Sequence, residues 1–290
     1  MLEEYANFCY TQIGGYTLDY IEYFEDLRPQ LSKADIEISL PEYVSMIAFT
    51  AAIVLVFGIF LLGAFLGITA GISGFIFAIV LSIILSVGAS FLFYLYPSII
   101  MKDRATKMRD TLPFATMYMA TLAGTGTSIS ELFSNLSKTE EYGEISKEAE
   151  KISRDIETFG MDVTEALQRA AERTPSKDFK DLLWGINHTM TSGGSLRSFL
   201  HERSDTLMKD YQRRVKAFSE QLSLFVELYI TLVIVGSIVF TSMSVVMSSF
   251  TGYSPNFIVV IQMGAIFLGL PIISGIFIFI VDSIAPGGIR

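Results

Sequence analysis

The sequence predicts an all-α, polytopic membrane protein with four transmembrane helices and a cytoplasmic six-helix bundle between the second and third. Three observations carry that prediction. The chain is 51% hydrophobic over 290 residues, with a mean hydropathy of +0.48, too apolar for an ordinary soluble domain. Its apolar residues are gathered into runs: no charge falls between Glu42 and Lys102, and Glu227 is the one charge between Leu222 and Val281. The cations are gathered between those runs, with 18 of the 21 Lys and Arg lying from Met101 to Glu220 beside 19 of the 30 acids. A hydrocarbon core of about 30 Å needs about 20 apolar helical residues to cross it, and the runs supply four such lengths.

Residues 1–41 read as a cytoplasmic amphipathic segment. Its acids face only Arg28 and Lys33 and produce most of the net charge of −9, a balance that argues against nucleic acid as a partner. It lacks the positive start and apolar stretch of a signal peptide. Tyr16, Tyr20, Tyr23, Phe24 and Leu27 recur at spacings of three and four and predict a helix over Tyr16–Leu31, ended or disturbed by Pro29. Pro41 suits the start of the next helix.

Residues 42–97 hold spans one and two, Glu42 to Leu66 and Phe75 to Tyr96, with Pro97 at the inner end of the second. Gly63, Gly67 and Gly71 recur every fourth residue, a spacing that lets membrane helices approach closely. Residues 222–282 hold spans three and four, Leu222 to Ser249 and Asn256 to Asp282, joined by Phe250 to Pro255; residues 283–290 are a tail. Neither short loop carries Lys or Arg, so the positive-inside rule places the central block and both termini in the cytoplasm of a cell-membrane protein. Basic clusters flank the block: Arg104, Lys107 and Arg109 after span two, and Arg213, Arg214 and Lys216 before span three. They read as a ring facing an ATPase or anionic lipid head groups.

Residues 98–221 read as helix throughout. GTSISELF begins at Gly126, GMDVTEAL at Gly160 and GGSLRSFL at Gly193, 34 and 33 residues apart. In each, the Gly is expected to end one helix in the left-handed conformation and Ser128, Asp162 or Ser195 to cap the next. Glu131 and Glu165 stand at capping-box spacing. Apolar stripes follow: Ile145, Ala149, Ile152, Ile156 and Phe159; then Val163, Ala166, Leu167 and Ala170; then Phe179, Leu182, Leu183, Ile186 and Met190. With Leu112–Ala123, Ile129–Leu136 and a helix from Ser195 these make six helices. No breaker separates Leu196 from Val245, so the last is expected to run unbroken into span three.

No catalytic, cofactor-binding or metal constellation is legible. Cys9 is alone, GTGTS at Gly124 lacks the closing Gly-Lys-Ser/Thr of a phosphate loop, and HERSD at His201 has no second His. His188 and His201 read as structural residues, and the carboxylates as scattered over solvated helix faces. Glu227 is different: a charge inside a span costs about 2.5–3.5 kcal/mol at the centre and marks a functional candidate. Asp282 reads as an end cap of span four.

The order of an acidic lead-in, two spans, a helical module and two spans resembles the inner-membrane platform proteins of type II secretion and type IV pilus machines. LPFATMYMATLAGTGTSISELFSNL from Leu112, GMDVTEALQRAAERTPS and TSGGSLRSFL are similar to that family's F-type domain, and LSKADIEISLPEYVSM looks like its archaeal or tight-adherence branch. The resemblance implies a non-enzymatic platform without cofactors, homo-oligomeric in the bilayer. It would couple a cytoplasmic hexameric ATPase to insertion of pilin-like or archaellin-like subunits into a filament, with Glu227 meeting a subunit's transmembrane segment. Archaellum platforms usually carry two such modules where this chain has one, which leaves open a tight-adherence pilus protein or half of a longer relative. The alternative reading is a small-solute transporter or channel, which would want polar groups facing one another and discontinuous helices; the spans offer Glu227, Gln262 and scattered Ser and Thr.

Overall fold

A computed structural model describes residues 2–251, 260 and 262–284, and all regular structure among them is helical. The uncharged loop after span three and the tail fall largely outside the described residues, as does the start of span four at Asn256. Four helices are long and apolar enough to cross a membrane: Leu40–Gly67 (α3), Gly71–Ala123 (α4), Leu196–Val246 and Gln262–Val281. The chain divides into two units, Met1–His201 and Glu202–Arg290.

In the first unit the lead-in departs from expectation. It forms α1 (Leu2–Thr17), a 3-10 stretch (Leu18–Phe24) and α2 (Leu27–Ala34) rather than one helix over Tyr16–Leu31. Pro29 does not end α2 because it lies in the first turn, where its missing N–H would have had no partner anyway. The aromatic pattern serves packing instead: Phe24 stacks edge-on against Tyr94, and Ala6, Cys9, Leu27 and Leu31 form one core with Tyr43, Met46 and Ile47 of α3.

Ser39 and Glu42 form a capping box at the start of α3, with Pro41 in the first turn. α3 and α4 fold back on each other at Gly71, whose φ of 64° and ψ of −143° suit glycine alone. The Ser86 hydroxyl donates to the Ala51 carbonyl at 2.8 Å and the Tyr43 hydroxyl to the Phe93 carbonyl at 2.8 Å, tying the pair together. The recurring glycines have separate roles. Gly71 makes the turn, a Cβ at Gly63 would meet the Phe75 ring at 3.0 Å, and Gly67 has open space around it.

α4 does not stop at Pro97. It runs on through Pro97 and Pro113 to Ala123 as a 53-residue helix. Pro97 has no N–H to offer the carbonyl four residues back. That carbonyl belongs to Phe93, and Tyr43 supplies the missing donor from the neighbouring helix.

Beyond residue 101, α4 packs with α5 (Ile129–Ser137), α6 (Glu144–Glu157) and α8 (Lys177–Thr191), while α7 (Val163–Arg173) packs against α6 and α8. Met108, Leu112, Met119, Phe133, Leu136, Ile145, Ile152, Leu167, Phe179 and Leu183 are fully buried among them. Phe159, expected to close the α6 stripe, is 66% exposed because α6 ends at Glu157 and leaves it in the following turn. The helix expected as sixth begins at Leu196 and continues from the first unit into the second.

In the second unit this helix (α9, Leu196–Ile230) passes through a π-helical turn, Thr231–Val235, into α10 (Gly236–Thr251). The run is therefore continuous but not α-helical throughout. A second π turn, Ala265–Gly269, leads into α11 (Leu270–Ile284). Residues of both π turns line one pocket of about 250 Å³. The Tyr229 hydroxyl and Ser274 Oγ are 2.9 Å apart, and the Tyr229 and Phe277 rings stack at 4.6 Å.

Candidate functional site

Gly126, Gly160 and Gly193 take φ of 79°, 66° and 69°, the left-handed region that L side chains pay about 1–2 kcal/mol to enter. Each is followed by a capped helix start. Ser128 and Glu131 form a full capping box, Asp162 accepts from the Thr164 N–H at 2.9 Å, and Ser195 accepts from the Ser198 N–H at 3.3 Å. Only the first pair closes reciprocally: Asp162 reaches the second helical N–H, so Glu165 is not the return partner. These residues set where helices begin and so fix the directions of α5, α7 and α9.

The six cations of the sequence-derived ring do not share one environment. Arg104 is buried, 6% exposed. Its Nε donates to Glu144 at 2.7 Å, its Nη2 to Glu148 at 3.2 Å and its Nη1 to the Lys33 carbonyl at 2.7 Å, with Asp35 at 3.7 Å. It cannot also face a partner or a lipid, and this corrects its place in the ring. Lys107 is exposed and pairs with Asp103 at 2.6 Å; Arg109 is also exposed. In the second unit Arg213 is exposed and bonded to Asp210 at 3.1 Å, Lys216 is exposed, and the Arg214 guanidinium lies 5.8 Å from the Tyr211 ring centre.

Arg104 opens a cluster that the sequence did not suggest. Glu148, 1% exposed, also takes Arg173 Nε at 2.9 Å, while Arg173 Nη1 reaches Asp155 at 3.0 Å and Lys151 pairs with Asp35. The cluster joins the end of α2, the middle of α4, α6 and α7. Glu144, Glu148 and Asp155 are therefore not on solvated faces. A signal existed: Glu144, Glu148 and Asp155 follow helical spacing directly beside the apolar stripe of α6. Asp35 is the non-glycine residue with positive φ, 60°, among those described. It closes α2 where glycine is usual, and its carboxylate fastens that strained turn to Lys151. Burial alone would push the Asp35 and Glu144 carboxyls up, but Lys151 beside Asp35, and Lys147 and Arg104 beside Glu144, hold both below the usual carboxylate range.

Glu227 lies exposed on α9, one turn before the π turn, on a face with Ser219, Ser223, Val226 and Ile230. Asp282 falls near the end of α11. His188 and His201 are exposed, and among the described residues no group of three His, Cys, Asp or Glu is placed to hold a metal ion.

Residues 115–243 match the family described as type II secretion system (T2SS), protein F. The chain carries a type II secretion protein F domain. The domain starts inside α4 and runs past residue 221 into α10, so it takes in part of the third membrane helix as well as α5 to α9. Flagella accessory protein J of Methanocaldococcus jannaschii is 32% identical over 137 residues, 47% of this chain and 24% of that protein. Flagella accessory protein J of Methanococcus voltae is 26% identical over 137 residues, 47% of this chain and 25% of that protein. An uncharacterized protein of M. jannaschii is 29% identical over 136 residues, 47% of this chain and 23% of that protein. The chain thus spans about a quarter of the length of the curated relatives it matches. No solved structure matches it.

Proposed function

We propose that this chain is the membrane platform of a filament-assembly machine of the type IV pilus or archaellum kind, coupling a cytoplasmic hexameric ATPase to insertion of pilin-like or archaellin-like subunits. The observation that carries the reading is the continuity of α4. A single helix leads from the second span into the protein F domain and ends at Ala123 inside it. A displacement of the domain along that axis reaches the membrane hairpin without crossing a loop. The domain identity and the relatives named flagella accessory protein J support the same reading. The domain and both termini lie in the cytoplasm on this view, and the protein performs no chemistry of its own.

The exposed cations Lys107, Arg109, Arg213 and Lys216, with the half-buried Arg214, are assigned to the ATPase or to anionic head groups, with Arg104 withdrawn to the interior. Glu227, exposed on a helix long enough to cross the bilayer, is assigned to contact with a subunit's transmembrane segment. Co-purification from membranes with a secretion-type ATPase tests the platform reading. Wild-type protein should carry the ATPase, and Arg213→Glu with Arg214→Glu should lose it while still inserting. Unchanged recruitment would remove those two residues from the interface, and failure of the wild type to carry any ATPase would remove the reading. Normal filament assembly by Glu227→Gln would end that residue's assignment.

A further inference from the structure

Where α2, α3 and α4 meet, a pocket of about 530 Å³ opens between Ile36, Ile38, Tyr43, Met46, Leu92 and Tyr96. We propose that it holds the hydrocarbon chain of a membrane lipid from the leaflet nearer the protein F domain. The first argument is depth. Tyr43 and Met46 lie in the first turns of one uncharged run, and Leu92 and Tyr96 in the last turns of the other, while Asp35, Glu42 and Lys102 mark where charge resumes. Lipid chains begin at that level.

The second argument is that two of the three polar side chains around the pocket, Tyr43 and Asp35, are already engaged. The Tyr43 hydroxyl is bonded to the Phe93 carbonyl, and the Asp35 carboxylate to Lys151 and Arg104. Of the lining side chains that leaves the Tyr96 hydroxyl, on a residue 43% exposed; the rest of the lining is apolar, which suits an apolar guest. The third is continuity. Leu92 is 66% and Tyr96 43% exposed, and they lie beside Phe91 at 59% and Ile99 at 60%. The mouth of the pocket is thus part of the apolar surface that α4 presents to the bilayer, and a chain can enter sideways without leaving hydrocarbon. Once there it would lie against Ile36 and Ile38, packing the connection between lead-in and hairpin.

The test uses the full chain in vesicles containing a phospholipid with a diazirine in one acyl chain, with adducts mapped by mass spectrometry after irradiation. Adducts are expected at Ile38 and Met46, only 8% and 2% exposed and so beyond the reach of lipid that merely surrounds the protein, as well as at Phe60 on the outer surface. Ile100→Trp, and separately Ile36→Trp, should fill the pocket and lower the Met46 adduct about tenfold while leaving Phe60 unchanged. Labelling at Phe60 with none at Ile38 or Met46 would overturn the proposal. So would Met46 adducts that neither tryptophan lowers. A photoreactive residue at position 38 that captures a peptide, from a second copy or another protein, in place of lipid would overturn it as well.

Discussion

Tyr43 shows how one side chain lets a proline pass through a helix. Its hydroxyl replaces the N–H that Pro97 cannot give to Phe93, at a buried point where no other donor is described. Tyr43→Phe keeps the ring and leaves that carbonyl unsatisfied, which costs about 1–3 kcal/mol. The expected result is a lower midpoint of thermal unfolding in detergent, with Tyr94→Phe as a control that moves it little. Glu148 is the second such residue, holding Arg104 and Arg173 together while almost wholly buried. Glu148→Gln leaves two cations short of an acid and should cost about 3–5 kcal/mol. Glu150→Gln on the exposed side of α6 should stay within about 0.5 kcal/mol. The same cluster gives a pH dependence. Asp35 and Glu144 have carboxyls held low in the folded state, so their contribution is present above the ordinary carboxylate value of about 4 and is lost as pH falls through the lower folded values. The unfolding midpoint should hold from neutral pH to about 5 and drop below about 4, and that drop should shrink in Arg104→Ala. The spacing of Glu144 and Glu148 beside the α6 stripe hinted at burial, but the partners could not be read from the sequence, because they lie far along the chain, as Glu144 does from Arg104 and Phe93 from Tyr43.

At the scale of elements, the starts of α5, α7 and α9 were legible, because a glycine, a capping side chain and an apolar residue are adjacent in the chain and need no tertiary information. The length of α4 was not. Proline is a local signal for helix ending, and what overrules it is a tyrosine on another helix. The lead-in departs from its pattern for a related reason: the spacing of Tyr16, Tyr20 and Tyr23 resembles a helical face, but the core shared with α3 includes Ala6, Cys9, Leu27 and Leu31. α4 also carries the mechanical part of the proposed function. Lys102→Gly with Asp103→Gly softens it at two exposed positions, each substitution at about 1 kcal/mol of helix propensity. Filament assembly should fall sharply while membrane insertion and ATPase binding persist; assembly at the wild-type level would show that the push does not travel along α4.

At the scale of the whole molecule, four apolar helices and a protein F domain define a multi-pass membrane protein. The partition into greasy runs and a charged block was plain in the sequence, since it rests on composition alone. The division of labour among the cations was not, because burial of Arg104 follows from where α2 and α6 come to rest around it. The domain can receive force from an ATPase only if it hangs on the cytoplasmic face of the bilayer. Placing a single thiol at Lys138, an exposed position in the turn after α5, by Lys138→Cys in a Cys9→Ala background reads that side directly. A membrane-impermeant maleimide should label it in inverted vesicles and leave it untouched in intact cells. Labelling in intact cells, with inverted vesicles silent, would put the domain outside and contradict the platform.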